Sequence, residues 1–172
     1  MLKMTNTIRN KSITFERLVD GGIYSAGILP VYHRQVLLGK EKRGWSGFSG
    51  KREATDVTTE STAIREFQEE TIGLLELDDV IRLLKTARLI QSSTPRGFKF
   101  YLFVAHVQES DYNKLTNERF QRKRISSASV YEREKTEIKW VDVDKIEDEE
   151  LSHCFKNDLS NIQNILLNTA LE

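Results

Sequence analysis

The sequence predicts a single domain of α/β character, an α+β or a mixed α/β/α layer, and three observations carry that expectation. Its 172 residues suit one compact domain and leave little room for two. Its patterned segments run as several strands, one helix, several strands and a final helix, which points away from a doubly wound βαβ repeat. Apolar residues make up 38% and charged residues 30%, a globular balance with a heavily charged surface.

Residues 1–20 are polar and weakly patterned, an arm or a first strand around Ile13 to Leu18. Tyr24 to Tyr32 reads as a strand, His33-Arg34 as a turn and Gln35 to Gly39 as its hairpin partner. Pro30 cannot donate to a ladder, which predicts an edge or a bulge there. Gly44 to Gly50 reads as a short aromatic strand running into a tight turn, and Lys51 to Val57 as a polar loop. Thr58 or Thr59 caps a helix reaching Thr71, with Ala63, Ile64 and Phe67 as its apolar stripe and Gly73 just past its end. Val80 to Gln91 contains strand-like stretches, and Phe98 to Val107 is the clearest strand. Residues 109–136 break the pattern as an insertion, with a short helix near Tyr112 to Arg124. Glu137 to Val141 alternates as a strand. Leu151 to Leu171 is an amphipathic helix, with Phe155, Leu159, Ile162, Ile165 and Leu166 on its apolar face.

The chemistry concentrates in Arg65-Glu-Phe-Gln-Glu-Glu70. On a helix Glu66 and Glu70 lie within roughly 40° of each other, and Glu69 roughly 60° to the other side of Glu66. Like charges at this spacing repel, and Arg65, four before Glu69, can hold only part of that charge. Glu66 and Glu70 are then left over. Oxygen ligands with spare negative charge suit Mg²⁺ or Mn²⁺, which bridge to substrate phosphates. A solvated acidic helix face has the same pattern. The neighbourhood favours the metal: Gly47 to Gly50 form a glycine turn that lets backbone approach a ligand. Lys51 and Arg52 follow it, placed for phosphate, and Glu53 and Asp56 add two carboxylates.

Gly50 to Asp56, Arg65 to Glu70 and Gly73 together resemble the signature of the Nudix hydrolases. That signature is a Gly, five residues, a Glu, seven residues, then Arg-Glu-apolar-x-Glu-Glu-x-Gly-apolar. The similarity covers roughly residues 22–170, including the first hairpin, the Trp45 to Gly50 strand end and the Glu137 to Val141 strand. Asp56 stands where the loop Glu is expected, eight residues separate it from Arg65, and Ile72 occupies the expected Gly position. The resemblance implies an α/β/α sandwich and Mg²⁺- or Mn²⁺-dependent hydrolysis of a diphosphate bond in a nucleoside diphosphate-linked substrate by activated water. It implies Glu66, Glu69 and Glu70 as metal ligands or metal-linked bases, Arg65 as their orienting partner, and a carbonyl at Ser49 or Gly50 in the coordination sphere. It implies Lys51 on phosphate, with Arg52 beside it. A further base would come from a late loop, with Glu132, Glu134 and Glu137 as candidates.

Lys plus Arg and Asp plus Glu number 26 each, so the net charge is zero. This excludes a generally basic nucleic-acid binder but not a local patch. Such a patch is Arg119 to Arg124, in a stretch from Lys114 to Lys135 flanked by Tyr112 and Tyr131. Arg122, Lys123 and Arg124 are its candidate substrate-binding residues, for a small anionic substrate or for RNA. An RNA-cap hydrolase or a diphosphoinositol polyphosphate phosphohydrolase would use that patch, whereas a catalytically silent nucleotide-binding module would not need the helix carboxylates. Apolar runs stay far short of the ~20 residues of a membrane span. The absence of a signal-like start and the single Cys154 set the expectation of a reducing compartment, cytoplasmic or nuclear. His33, His106 and His153 are scattered, as structural histidines are.

Overall fold

The computed structural model describes residues 5–9, 22–93, 96–126 and 134–169. One mixed sheet holds eight strands: β1 (Thr5–Arg9), β2 (Tyr24–Tyr32), β3 (Gln35–Glu41), β4 (Gly44–Ser46), β5 (Phe48–Lys51), β6 (Arg88–Ser93), β7 (Lys99–His106) and β8 (Glu137–Asp142). Around it lie α1 (Thr59–Glu70), α2 (Leu77–Lys85), the single turn α3 (Glu109–Tyr112), α4 (Asn117–Ser126) and α5 (His153–Thr169).

Strand periodicity divides the core in two. Ile28, Leu37, Leu89 and Phe103 join one apolar cluster with Ala63 and Phe67 of α1, Leu83 of α2 and Phe120 of α4. Their neighbours Leu29, Leu38, Ile90 and Leu102 join another with Phe155, Ile162, Ile165 and Leu166 of α5. The sheet is thus a middle layer between helices, the α/β/α sandwich. A strand buried on both faces needs a near-continuous apolar run, as β2 has from Ala26 to Val31 apart from Gly27 and Pro30.

β2 lies in the sheet interior. It runs parallel to β7 along its length and antiparallel to β5 over Ser25–Ile28 and to β3 over Val31–Tyr32. Pro30 is therefore not on an edge strand. It falls in the gap where β2 passes from β5 to β3. The Val31 carbonyl accepts from Val107 on the β7 side at 2.9 Å, so the missing Pro30 donor faces the gap. Outside β2, β3 carries β8 and β4.

Two further expectations are corrected. The strand-like reading of Val80 to Gln91 holds only from Arg88; Leu77–Lys85 is α2. A short apolar run does not distinguish strand from helix. Here Val80, Leu83 and Leu84 bury one helical face, while Asp78 and Asp79 start the helix and Arg82 and Lys85 end it, complementing its dipole. The stretch after β7 is not an irregular insertion as far as Ser126: Leu115 and Phe120 are buried in the α1 layer, and Trp140 Nε1 donates to the Leu115 carbonyl at 2.9 Å. Residues 127–133, with Tyr131 and Glu132, lie outside the described residues, as does the expected strand near Ile13 to Leu18.

Asp158 on α5 is 1% exposed. Burial pushes its carboxyl up to about 6, and the nearby Ser92 hydroxyl only partly offsets this. A folded-state value above the unfolded one means that stability is fully present below the unfolded value and is lost as pH rises through the folded one. Relative to a side chain that cannot ionise, the protein should lose about 2 kcal/mol between pH 4 and pH 8. Asp158→Asn should therefore gain stability over the parent as pH rises. Urea denaturation of both proteins at pH 4.5, 6 and 8 checks this, and a difference that does not vary with pH would contradict it.

Candidate active site

The site is assembled from the end of β5, the loop after it and α1. Thr58 starts α1 with a reciprocal cap: its Oγ1 accepts from the Ser61 amide at 3.0 Å, and its own amide donates to Ser61 Oγ at 2.9 Å. Phe67 and Ala63 fix the helix rotation by burying against the sheet, where Phe67 meets Phe48 edge-on at 5.4 Å between ring centroids. That rotation turns Arg65, Glu66 and Glu69 towards the loop. The helix ends with both Ile72 and Gly73 at positive φ, 56° and 60°. Ile72 thus carries the left-handed conformation that a glycine there would adopt without strain.

Arg65 is the organising cation. Its guanidinium bonds Asp56 at 2.9 Å, Glu66 at 2.8 Å and Glu69 at 3.1 Å, donates to the Lys51 carbonyl at 2.8 Å and lies 3.8 Å from Glu53. Asp56 is 5% exposed and also accepts from the Glu53 amide at 2.9 Å and from Thr62 Oγ1 at 3.0 Å. Burial pushes its carboxyl up, but Arg65, the Glu53 amide and Thr62 together outweigh burial and hold it below the usual carboxylate range. Asp56, one residue early and one methylene shorter than the Glu of the resembling signature, is thus a loop-to-helix clamp.

Glu66 is not left without a partner, as the sequence pattern alone implied, because Arg65 reaches it. A Cβ at Gly50 would overlap its carboxyl, so this close approach requires glycine. Burial raises the Glu66 carboxyl first; Arg65 opposes that, and the like charges of Glu69 and Glu134 add to it.

Glu70 is the most enclosed of the three helix carboxylates. It is 3% exposed; one oxygen accepts from the Ser49 amide at 2.8 Å and the other lies 3.4 Å from Lys135 Nζ. Lys135, expected to face phosphate within the basic stretch, is instead 1% exposed. Its ammonium donates to Ser46 Oγ at 2.7 Å, the Gly47 carbonyl at 3.1 Å and Glu41 at 3.3 Å. Gly39 makes room for its stem, since a Cβ there would stand 2.9 Å from Lys135 Cδ. Burial pushes the Glu70 carboxyl up to about 8; Lys135 and the Ser49 amide only partly oppose this, and the like charge of Glu66 adds to it. Sequence pattern did not reveal this pair: Lys135 lies in a run of surface cations, and Gly39 was its one local trace.

Gly50, Lys51, Arg52, Glu53, Arg65, Glu66, Glu69, Glu70 and Glu134 line one cavity of about 280 Å³. Five carboxylates there face three cations. Of the late-base candidates, Glu134 reaches this cavity; Glu137 pairs across the ladder with Lys40 and does not line it. Arg52 packs over the Tyr24 ring and donates to the Asp56 carbonyl at 3.2 Å. Arg122 and Lys123 line a different cavity with Leu74 and Arg119. Arg122 pairs with Glu118 and Lys123 with the Gly73 carbonyl, while Arg124 Nε is buried without a hydrogen-bond partner. None of the three lines the carboxylate cavity.

Among the described residues no three His, Cys, Asp or Glu side chains are gathered as a ready metal cage, because Arg65 and Lys135 hold the carboxylates. The donors are nevertheless all oxygen, acidic in excess and partly desolvated, which fits a hard divalent cation. Glu66 and Glu69 would hold it, with Glu134 facing them, since Glu70 already has Lys135 as its counter-ion.

A sequence model of the NUDIX domain matches residues 23–158. No curated protein sequence matches significantly. Among solved structures, the Mycobacterium smegmatis Nudix hydrolase RenU is similar at TM-score 0.54 and 14% identity, covering 88% of this chain and 94% of that one. The Bacillus subtilis pyrophosphohydrolase BsRppH is similar at TM-score 0.54 and 12% identity, covering 97% and 90%. A Francisella tularensis bifunctional NMN adenylyltransferase/ADP ribose pyrophosphatase, in complex with AMP and a Mn ion, is similar at TM-score 0.56 and 14% identity, covering 91% of this chain and 43% of that one. At these identities the likeness is one of fold.

The Lys135–Glu70 pair generates a stability prediction. Removing Lys135 leaves the Glu70 carboxyl buried without a cation, at a loss of up to about 3–5 kcal/mol, whereas Lys135 keeps Glu41 when Glu70 is removed. Lys135→Met should destabilise strongly and Glu70→Gln less, and the double variant should lose less than the sum of the two. Urea denaturation of the four proteins in EDTA checks this. Additive losses would mean that the two side chains do not interact.

Proposed function

Because the chain belongs to the Nudix family, we propose that it is a divalent-metal-dependent pyrophosphohydrolase that cleaves a diphosphate bond in a nucleoside diphosphate-linked substrate. The observation that carries this reading is the cavity where Glu66, Glu69 and Glu134 meet Lys51 and Arg52 beside Gly50.

Each residue there has a chemical task. Lys51 and Arg52 neutralise phosphate oxygens. Arg65 fixes Glu66 and Glu69 in one orientation, so little reorganisation is needed when substrate arrives. Glu134 belongs to neither the Arg65 nor the Lys135 network and is the candidate to take a proton from attacking water. Mg²⁺ or Mn²⁺ bound at Glu66 and Glu69 would polarise phosphate oxygens and acidify bound water. Water is then the nucleophile and no covalent enzyme intermediate is needed.

The adjoining space favours a substrate with a sizeable second moiety. A cavity of about 640 Å³ shares Glu134 with the carboxylate cavity and takes Ser49 from β5, where the carboxylate cavity takes Gly50. The nucleotide ligands in related folds, AMP in the Francisella protein and ADP ribose with the NUDIX domain of Shewanella oneidensis NrtR, agree with a nucleotide-type substrate. The engagement of both Glu70 oxygens favours a second reading, a nucleotide-binding module without hydrolysis.

The deciding experiment incubates the protein with nucleoside diphosphate sugars, dinucleoside polyphosphates, nucleoside triphosphates, diphosphoinositols and capped RNA in Mg²⁺ or Mn²⁺, with products identified by mass. Cleavage at a diphosphate bond is expected, abolished by excess EDTA. Glu66→Gln and Glu69→Gln should lower kcat by about 10²–10⁴-fold with circular dichroism unchanged. Binding without cleavage of any substrate would favour the silent module, and full activity in EDTA would overturn the metal-dependent reading.

A further inference from the structure

The larger cavity contains polar groups that the hydrolytic chemistry does not use. Phe98, Phe100, Leu102 and Phe155 give it apolar walls, and Ser92 and Asp158 also line it. Both polar side chains are 1% exposed. Among the described residues neither Ser92 Oγ nor Asp158 Oδ1 makes a hydrogen bond within 3.5 Å, although the Ser92 hydroxyl is near enough to Asp158 to favour its charged form. They come from facing elements, Ser92 from β6 and Asp158 from α5, so the cavity is closed on that side by a carboxylate oxygen and a hydroxyl, each with a lone pair left to accept.

Native proteins seldom leave buried acceptors unpaired, and an instance calls for an explanation such as a missing ligand. Asp158 is the stronger case. An apolar residue would pack there without the desolvation of a carboxyl, and no structural bond of Asp158 Oδ1 offsets that penalty. A purely apolar pocket would hold any flat ring, whereas a buried carboxylate oxygen beside a hydroxyl selects rings that present N–H donors.

We infer that this cavity is a base-selective subsite in which Asp158 and Ser92 accept hydrogen bonds from the amino group of a nucleobase held against Phe98, Phe100 and Phe155. The inference deepens the pyrophosphohydrolase reading and rests on it for the place of the diphosphate, which would lie past Glu134 in the carboxylate cavity. The volume of about 640 Å³ is within the usual range for a small-molecule site, and three rings suit stacking and edge contacts with a base. The selected substrates are those whose nucleoside carries an exocyclic amino group, in preference to deaminated analogues of the same shape.

The test is binding of nucleoside monophosphates without added metal, by calorimetry at pH 7.5. The pairs AMP against IMP, GMP against IMP and CMP against UMP each compare a base with its amino-free counterpart. At least one amino-bearing nucleotide should bind about tenfold or more tightly than its counterpart, because the counterpart sets a carbonyl oxygen or a bare C–H where the amino group would meet the buried carboxylate. Asp158→Leu, close in shape and without an acceptor, should reduce that preference to less than about twofold. Asp158→Asn, which should be at least as stable as the parent, and Ser92→Ala should each reduce it in part. The absence of binding, the absence of preference, or a preference that survives at Asp158 would overturn the inference. The two readings fail separately: preference without cleavage removes the hydrolytic reading alone, and cleavage indifferent to the amino group removes the subsite alone.

Discussion

The guanidinium of Arg65 ties three pieces of backbone together. It spans from α1 to the Lys51 carbonyl at the end of β5 and to Asp56 in the intervening loop, while its other nitrogen holds Glu66 and Glu69. Without it, three carboxylates would repel across a space that Gly50 has made unusually narrow. With it, burial and repulsion are partly balanced, and the Glu66 carboxyl still lies above its ordinary range. This residual imbalance matters for function. A cluster neutralised completely would have little affinity for a cation, and one left uncompensated would destabilise the loop that carries it.

A second cation, this one buried, works one turn further along the helix. Lys135 closes a cage formed by Ser46, Gly47, Glu41 and Glu70, joining β3, β4 and α1 to the residue directly after Glu134. Glu134 thereby has a fixed neighbour, although its own carboxylate belongs to neither cation's network. The two cations divide the acidic residues: Arg65 serves Glu66 and Glu69 on the open face, and Lys135 serves Glu70 inside. Three carboxylates of similar spacing on one helix therefore have unequal environments, and their chemistry differs accordingly.

What the sequence conveys about this arrangement follows the range of each interaction. The strands, α1 and α5 are legible because alternation and helical periodicity are local consequences of which face is buried. Arg65 with Glu69 is legible because the partners are four residues apart on a helix. Asp56 at an offset position could be read only as a departure from a pattern, since its bond to Arg65 depends on the loop's path. Lys135 with Glu70 spans β-sheet topology that no local pattern encodes, and it was concealed among exposed cations. The same limit applies to Arg122, Lys123 and Arg124: composition marked them as a phosphate-facing patch, while packing of Phe120 turns α4 so that Arg122 and Lys123 line a cavity separate from the carboxylates and Arg124 Nε is buried. In Val80 to Leu84 the apolar run is too short for periodicity to decide, and the charges at the two ends of α2 are the better guide.

The neutral total charge is thus a poor description of where electrostatic free energy resides. Exposed pairs such as Arg34 with Asp144 contribute to the sum but little to stability or chemistry. Five groups carry most of the argument: Arg65, Glu66, Glu70, Lys135 and Asp158. Four of them satisfy one another. Among the described residues Asp158 has no ion-pair partner and its Oδ1 makes no hydrogen bond, so its burial opposes folding wherever it is ionised. A side chain that weakens the fold without stabilising its neighbours is best explained by something it contacts only part of the time, and the cavity it lines adjoins the carboxylates through Glu134.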